Sequence, residues 1–150
     1  MKYIILSYGS QRDYDAMSGQ SADHPGLTPE DFAPTHEFME SFTNALNDSG
    51  ELVETRGLAA PVLTRRVQLK EGVPVVTDGP YAEAQEVLAG YWVVDCESFD
   101  RATEIAARLA ACPSPGGIFA DAVVDVRPIG HLEDHTLLAQ LEGVQGDPEG

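Results

Sequence analysis

The sequence predicts an α+β fold, and three observations carry that prediction. Apolar runs at residues 2–8, 90–96 and 122–129 have strand character, and 51–58 is a further strand candidate. Two apolar stripes at three- and four-residue spacing, beginning near Asp31 and at Ser98, have helix character. These segments alternate as strand–helix–strand, a hairpin, then strand–helix–strand, an order that builds one sheet with helices packed on it.

The first strand is read over residues 2–8, where Tyr3 and Ile5 alternate with Ile4, Leu6 and Tyr8. Residues 9–28 hold Gly, Ser, Gln, Asp, His and Pro without apolar periodicity and are read as a long loop, of the kind that is functional or mobile. The first helix follows. Starting it at Asp31 places Pro34 in the first turn, where a missing N–H costs nothing. Phe32, Thr35, Met39, Phe42 and Leu46 then form one stripe, and Gly50 ends it as a C-cap residue.

A second strand is expected at 51–58. A hairpin follows, with Thr64–Leu69 and Val73–Thr77 joined through Lys70-Glu71-Gly72. Asp78-Gly79-Pro80 is a strong break. The β-branched and aromatic run Gly90–Cys96 suits a central strand. Ser98 caps a second helix whose Ala102, Ile105, Ala106 and Leu109 let it lie close on a sheet, and Pro113, Pro115, Gly116 and Gly117 stop it. Ala122–Ile129 is the last strand.

Two such halves sharing one sheet give the ferredoxin-like arrangement, with both helices on one face. Both sides of Tyr3–Tyr8 and of Tyr91–Cys96 are apolar, so the other face needs a cover too. A second copy of the chain is the most economical one, and a homodimer is expected. The domain is expected over 1–130. Residues 131–150 form an acidic, small-residue tail in which only Leu137, Leu138 and Leu141 offer an anchor.

The formal charge of −16 argues against nucleic-acid binding, which draws on clustered Lys and Arg. No apolar run approaches the roughly 20 residues of a membrane helix. The apolar start of the chain is too short for a signal peptide, and a cytoplasmic protein is expected. Cys96 and Cys112 fit no zinc or CxxC spacing and are read as buried free thiols.

Val76-Thr77-Asp78-Gly79-Pro80-Tyr81-Ala82-Glu83, then Gly90-Tyr91-Trp92-Val93-Val94, then Val126-Arg127-Pro128 resemble the DGPF subset of the YCII-related family. Gly50-Glu51-Leu52-Val53 and Gly57-Leu58 fall where that family places its own elements. The resemblance runs from Met1 to about Ile129. Tyr81 stands where the family has Phe, and the tail lies outside the pattern. The resemblance implies a ferredoxin-like fold that dimerises into a dimeric α+β barrel-type assembly. Its relatives include small-molecule enzymes, and some members are encoded beside extracytoplasmic-function sigma factors.

Four groups of residues are candidates for chemistry. His36, between Phe32 and Met39 on the first helix, is a candidate general acid or base, and also suits a half-exposed, hydrogen-bonded helix position. YCII-related proteins outside the DGPF subset are taken to use a helix His with an Asp, and His36 is the one His on the first helix. Asp78 either pairs with His36, binds a substrate donor or serves the turn at Gly79-Pro80, and Tyr81 adds a hydroxyl to the same pocket. Arg56, Arg65, Arg66 and Lys70 are four of nine Lys and Arg, gathered within fifteen residues. They suit either an anionic substrate or surface ion pairing. Arg65 shares its strand face with Val67 and Leu69 and is the pocket-facing choice. His131 and His135 have metal-sharing spacing but lack a third ligand in a firm element.

The expected function is a small-molecule enzyme using acid/base chemistry in a cleft between the sheet and the first helix. His36 and Asp78 would be catalytic, with Arg65 and Tyr81 holding a small anionic substrate and no cofactor or metal required. The alternative is a non-catalytic accessory protein whose partner is a transcription factor such as a sigma factor. An exposed apolar patch would favour it.

Overall fold

The computed structural model describes residues 1–130. Six strands and three helices occur in the order β1 (Lys2–Gly9), α1 (Gln11–Met17), α2 (Ala33–Asp48), β2 (Leu52–Gly57), β3 (Arg65–Lys70), β4 (Val73–Asp78), β5 (Val87–Asp95), α3 (Phe99–Ala110) and β6 (Val124–Pro128). A four-stranded antiparallel sheet runs β2-β5-β1-β6, and β3-β4 is a separate two-stranded sheet. The four-stranded order, with α2 and α3 as its crossover helices, agrees with a ferredoxin-like α+β fold.

Strand alternation sorts the sheet residues onto two faces. Tyr3 and Ile5 of β1, Trp92 and Val94 of β5, and Val124 and Val126 of β6 pack against the helices. Opposite them lie Phe42 and Leu46 of α2, and Ala102, Ile105, Ala106 and Leu109 of α3. Phe42 meets Trp92 edge-on at 5.7 Å between ring centroids, and the Trp92 indole N–H donates to Thr43 Oγ1 at 3.3 Å. On the open face, register aligns Glu54, Val93, Ile4 and Arg127 in one row and Arg56, Tyr91, Leu6 and Asp125 in the next.

The helix ends follow local chemistry. Pro34 lies in the first turn of α2, Gly50 takes a positive φ of 77° just beyond it, and the Ser98 hydroxyl accepts from Arg101 N at 3.0 Å to cap α3. In the hairpin, Glu71 (φ 52°) and Gly72 (φ 77°) make a two-residue turn with both central residues left-handed, which matches the twist of paired strands.

Two expectations need correction. Residues 9–28 are not all loop, because Gln11–Met17 is helical. Ser10 Oγ accepts from Asp13 N at 3.2 Å while the Asp13 carboxylate accepts from Ser10 N at 2.8 Å, closing a capping box. Cys96 is buried, but Cys112 is only partly so. Burial nevertheless pushes both thiols above their ordinary range. No helix among the described residues is long and apolar enough to cross a membrane.

Candidate functional site

Helix α1 is short, and its neighbours fix its position. Arg12 N donates to Glu83 O at 3.1 Å, Gln11 Oε1 accepts from Val62 N at 2.9 Å, and the Tyr14 hydroxyl donates to Leu58 O at 2.8 Å. These bonds hold α1 against two stretches, the connection between β2 and β3 and the segment that runs from Asp78-Gly79-Pro80 into β5. Ala16 is its buried contact with the body of the protein.

A cleft of about 260 Å³ opens beside this helix. Its walls come from four separate stretches of chain: the first turns of α1, Ser21–His24, Ala84–Glu86 and Ile118–Phe119. Phe119 rests 6.1 Å, centroid to centroid, from the fully buried Phe32. Ser21 Oγ accepts from the backbone N–H of His24 at 2.9 Å and so shapes the turn that carries the imidazole.

The charges in the cleft have both signs. Asp13 is committed to the capping box. The Arg12 guanidinium stands 3.8 Å from Asp23 and 3.9 Å from Glu83, beyond hydrogen-bond range, and makes no hydrogen bond among the described residues. Both carboxylates are nevertheless within ion-pair range of it. Glu86 and His24 complete the titratable lining.

The expected site residues lie elsewhere. His36 is on α2, exposed, and has no hydrogen bond to Asp78 among the described residues. Asp78, at the end of β4, takes Arg65 Nε on its carboxylate at 2.9 Å, with both side chains largely in solvent. Tyr81 lies under the Arg66 guanidinium, 5.3 Å from ring centroid to carbon, rather than beside Arg65. Thus the structure joins Arg65 to Asp78 and Arg66 to Tyr81, and His36 joins neither pair. None of these residues lines the 260 Å³ cleft or a second one of about 220 Å³ between Leu58–Thr64 and Val87–Leu88. His131 and His135 fall outside the described residues. Among the described ones, no three His, Cys, Asp or Glu side chains are grouped to hold a metal ion.

The residues that line the cleft were hard to single out in sequence because they are scattered over more than a hundred positions. One signal was present. Ser10-Gln11-Arg12-Asp13 has capping-box spacing, and it marks the helix that carries Arg12.

Comparison with known proteins agrees with this fold. A protein of Rhizobium meliloti (strain 1021), described as uncharacterised, is 32 % identical over 83 residues, which cover 55 % of this chain and 62 % of that protein. The match therefore spans less than two thirds of the relative's length. The YCII-related domain matches residues 1–127, nearly all of the described fold, and the chain belongs to the YCII-related family.

Proposed function

We propose that this chain is a homodimeric small-molecule-binding protein whose ligand sits in the cleft beside α1. The observation that carries this reading is the Arg12 guanidinium, which lines that cleft in ion-pair range of Asp23 and Glu83 but makes no hydrogen bond among the described residues. Such a fork matches a carboxylate or phosphate group. Carboxylates of Asp23 and Glu86 share the same walls, on a chain of net charge −16. They oppose a simple anion and favour a ligand that also carries a cationic or donor group, so a small zwitterion of amino-acid type suits the lining best. His24 supplies an imidazole for proton transfer. Acid/base chemistry is thereby assigned to His24, with Arg12 as the binding residue.

The homodimer is supported by the open face of the main sheet, where Ile4, Leu6, Tyr91 and Val93 form an apolar strip with no helix over it among the described residues. The alternative of an accessory protein rests on the exposed apolar residues of β3–β4.

The test is titration of ¹⁵N-labelled protein with β-alanine, acetate and methylammonium, followed by backbone amide shifts. β-Alanine is expected to move the amides of Arg12, Ser21, His24 and Glu86 at lower concentration than either half-ligand. Arg12→Ala should weaken that response about tenfold or more, and His36→Ala or Asp78→Asn should leave it unchanged. Shifts confined to the surroundings of His36, Asp78 and Arg65, or no shifts at all, would sink the assignment.

A further inference from the structure

The hairpin β3–β4 stands apart from the main sheet, and each of its strands is paired on one side only among the described residues. Every residue of both strands is solvent-exposed, and a lone two-stranded hairpin is at best marginally stable in water.

In an antiparallel pair, opposed residues alternate between those that exchange both backbone bonds and those whose N–H and C=O point outward. Gly79 N donates to Thr64 O at 2.8 Å, which marks Thr64–Gly79, one step beyond Arg65–Asp78, as a bonded pair. Arg65–Asp78, Val67–Val76 and Leu69–Pro74 are therefore the outward-pointing pairs. Pro74 fits this phase, because it has no N–H to give β3.

The two outer edges of the hairpin then differ. Along β4, Pro74 leaves the edge a donor short, which guards it against further pairing. Along β3, Arg65, Val67 and Leu69 each offer an outward N–H and C=O. None of the three makes a backbone hydrogen bond to another element among the described residues. The open edge is that of β3.

This edge is complementary to itself. A two-fold axis at Val67 sets Val67 opposite the Val67 of a second copy, Arg65 opposite Leu69 and Arg66 opposite Gln68. All three outward residues then exchange bonds in both directions, and like charges never stand opposite each other. Moving the axis to Arg66 sets that residue against itself, and moving it to Gln68 sets Arg66 against Lys70. With the axis at Val67, the Val76 and Val67 of both copies form one row across four strands. These side chains are 54 % and 63 % exposed in the single chain.

We infer that β3 pairs antiparallel with β3 of a second copy and joins two hairpins into one four-stranded sheet. The contact is isologous. It is separate from the open face of the main sheet and does not depend on what covers that face.

The experiment is amide exchange on the ¹⁵N-labelled full chain across a dilution series, with light scattering on the same samples. The amides of Arg65, Val67 and Leu69 are expected to be protected at high concentration and released on dilution, while that of Val76 exchanges freely throughout. Val67→Pro removes an outward N–H and should halve the wild-type mass. The amides of Arg66, Gln68 and Lys70, which face β4, should stay protected in it. Val67→Lys sets like charges opposite each other at the axis, on a side chain already exposed, and should halve the mass too. It decides the matter if the proline variant loses the β4-facing amides. A wild type at the single-chain mass of 16.1 kDa at every concentration would overturn the proposal. So would unprotected Arg65, Val67 and Leu69 amides in the assembled protein, or a Val67→Lys variant that keeps the wild-type mass.

Discussion

Glu51 and Arg101 face each other in a two-pronged ion pair, with Arg101 Nη2 donating to Glu51 Oε1 at 2.8 Å and Nε to Oε2 at 2.9 Å. The pair ties the residue before β2 to the first turn of α3. Glu51 is fixed from two further sides. Its side chain accepts from Ser49 Oγ at 2.9 Å, and its carbonyl accepts from Asp95 N at 2.8 Å. Both charged side chains are mostly shielded, at 16 % and 27 % exposure, so solvent screens the interaction only in part.

That geometry makes the fold acid-sensitive at a known place. The Arg101 guanidinium holds the Glu51 carboxyl below the usual carboxylate range. A carboxyl lowered by folding contributes stability that is fully present above its unfolded value of about 4 and is lost as pH falls through its folded value. Glu51→Gln should therefore cost about 1–2 kcal/mol at pH 7. The gap from wild type should close as pH falls below about 4. Urea unfolding at pH 7 and pH 3 measures both, and an equal gap at the two values would contradict the ion-pair explanation.

The capping box of α1 gives a second prediction. Ser10→Ala removes the acceptor for Asp13 N, and loss of such a cap costs about 1 kcal/mol. On a seven-residue helix this loss should appear locally. Amide exchange at Asp13 and Tyr14 should rise several-fold, while the amides of β1 and β5 keep their protection. Uniformly faster exchange across the sheet would show that α1 supports the whole domain and not only the cleft.

Gly90 yields a third. A Cβ at this position would stand 3.0 Å from the Arg56 carbonyl oxygen and 3.5 Å from Ser7 Oγ, between strands on both sides. Its φ is not in the left-handed region, so crowding rather than backbone conformation forbids a side chain. Gly90→Ala should cost about 1–3 kcal/mol, the usual range for overpacking, read from the urea midpoint. A midpoint within error of wild type would mean that β2 shifts outward freely.

The strands and the two long helices were legible in sequence because each has enough apolar positions to define a period. Phe32, Thr35, Phe42 and Leu46, on the stripe read from spacing, are buried in the structure. Helix α1 is too short for that signal. With Ala16 its one buried residue, polar side chains cover most of its surface. The placement of His36 shows another limit. Periodicity put it at the edge of the stripe, and a rotation of one residue from the buried Thr35 turns it to solvent. The Arg65–Asp78 contact was hidden for a different reason. It depends on hairpin register, which the two-residue turn at Glu71-Gly72 determines.

The strand order carries a consequence for biosynthesis. Among the described residues, strand β1, at residues 2–9, pairs with β5, at 87–95, and with β6, at 124–128. A chain emerging from the ribosome must hold this strand without either neighbour until nearly 90 residues have followed, and without the second until about 120 have. Long-range pairing of this kind slows folding and leaves apolar edges exposed in the meantime. Ile4, Ile5 and Leu6 thus stay apolar and unpaired through most of synthesis, and any product truncated before Val124 would lack one of the two neighbours of this central strand.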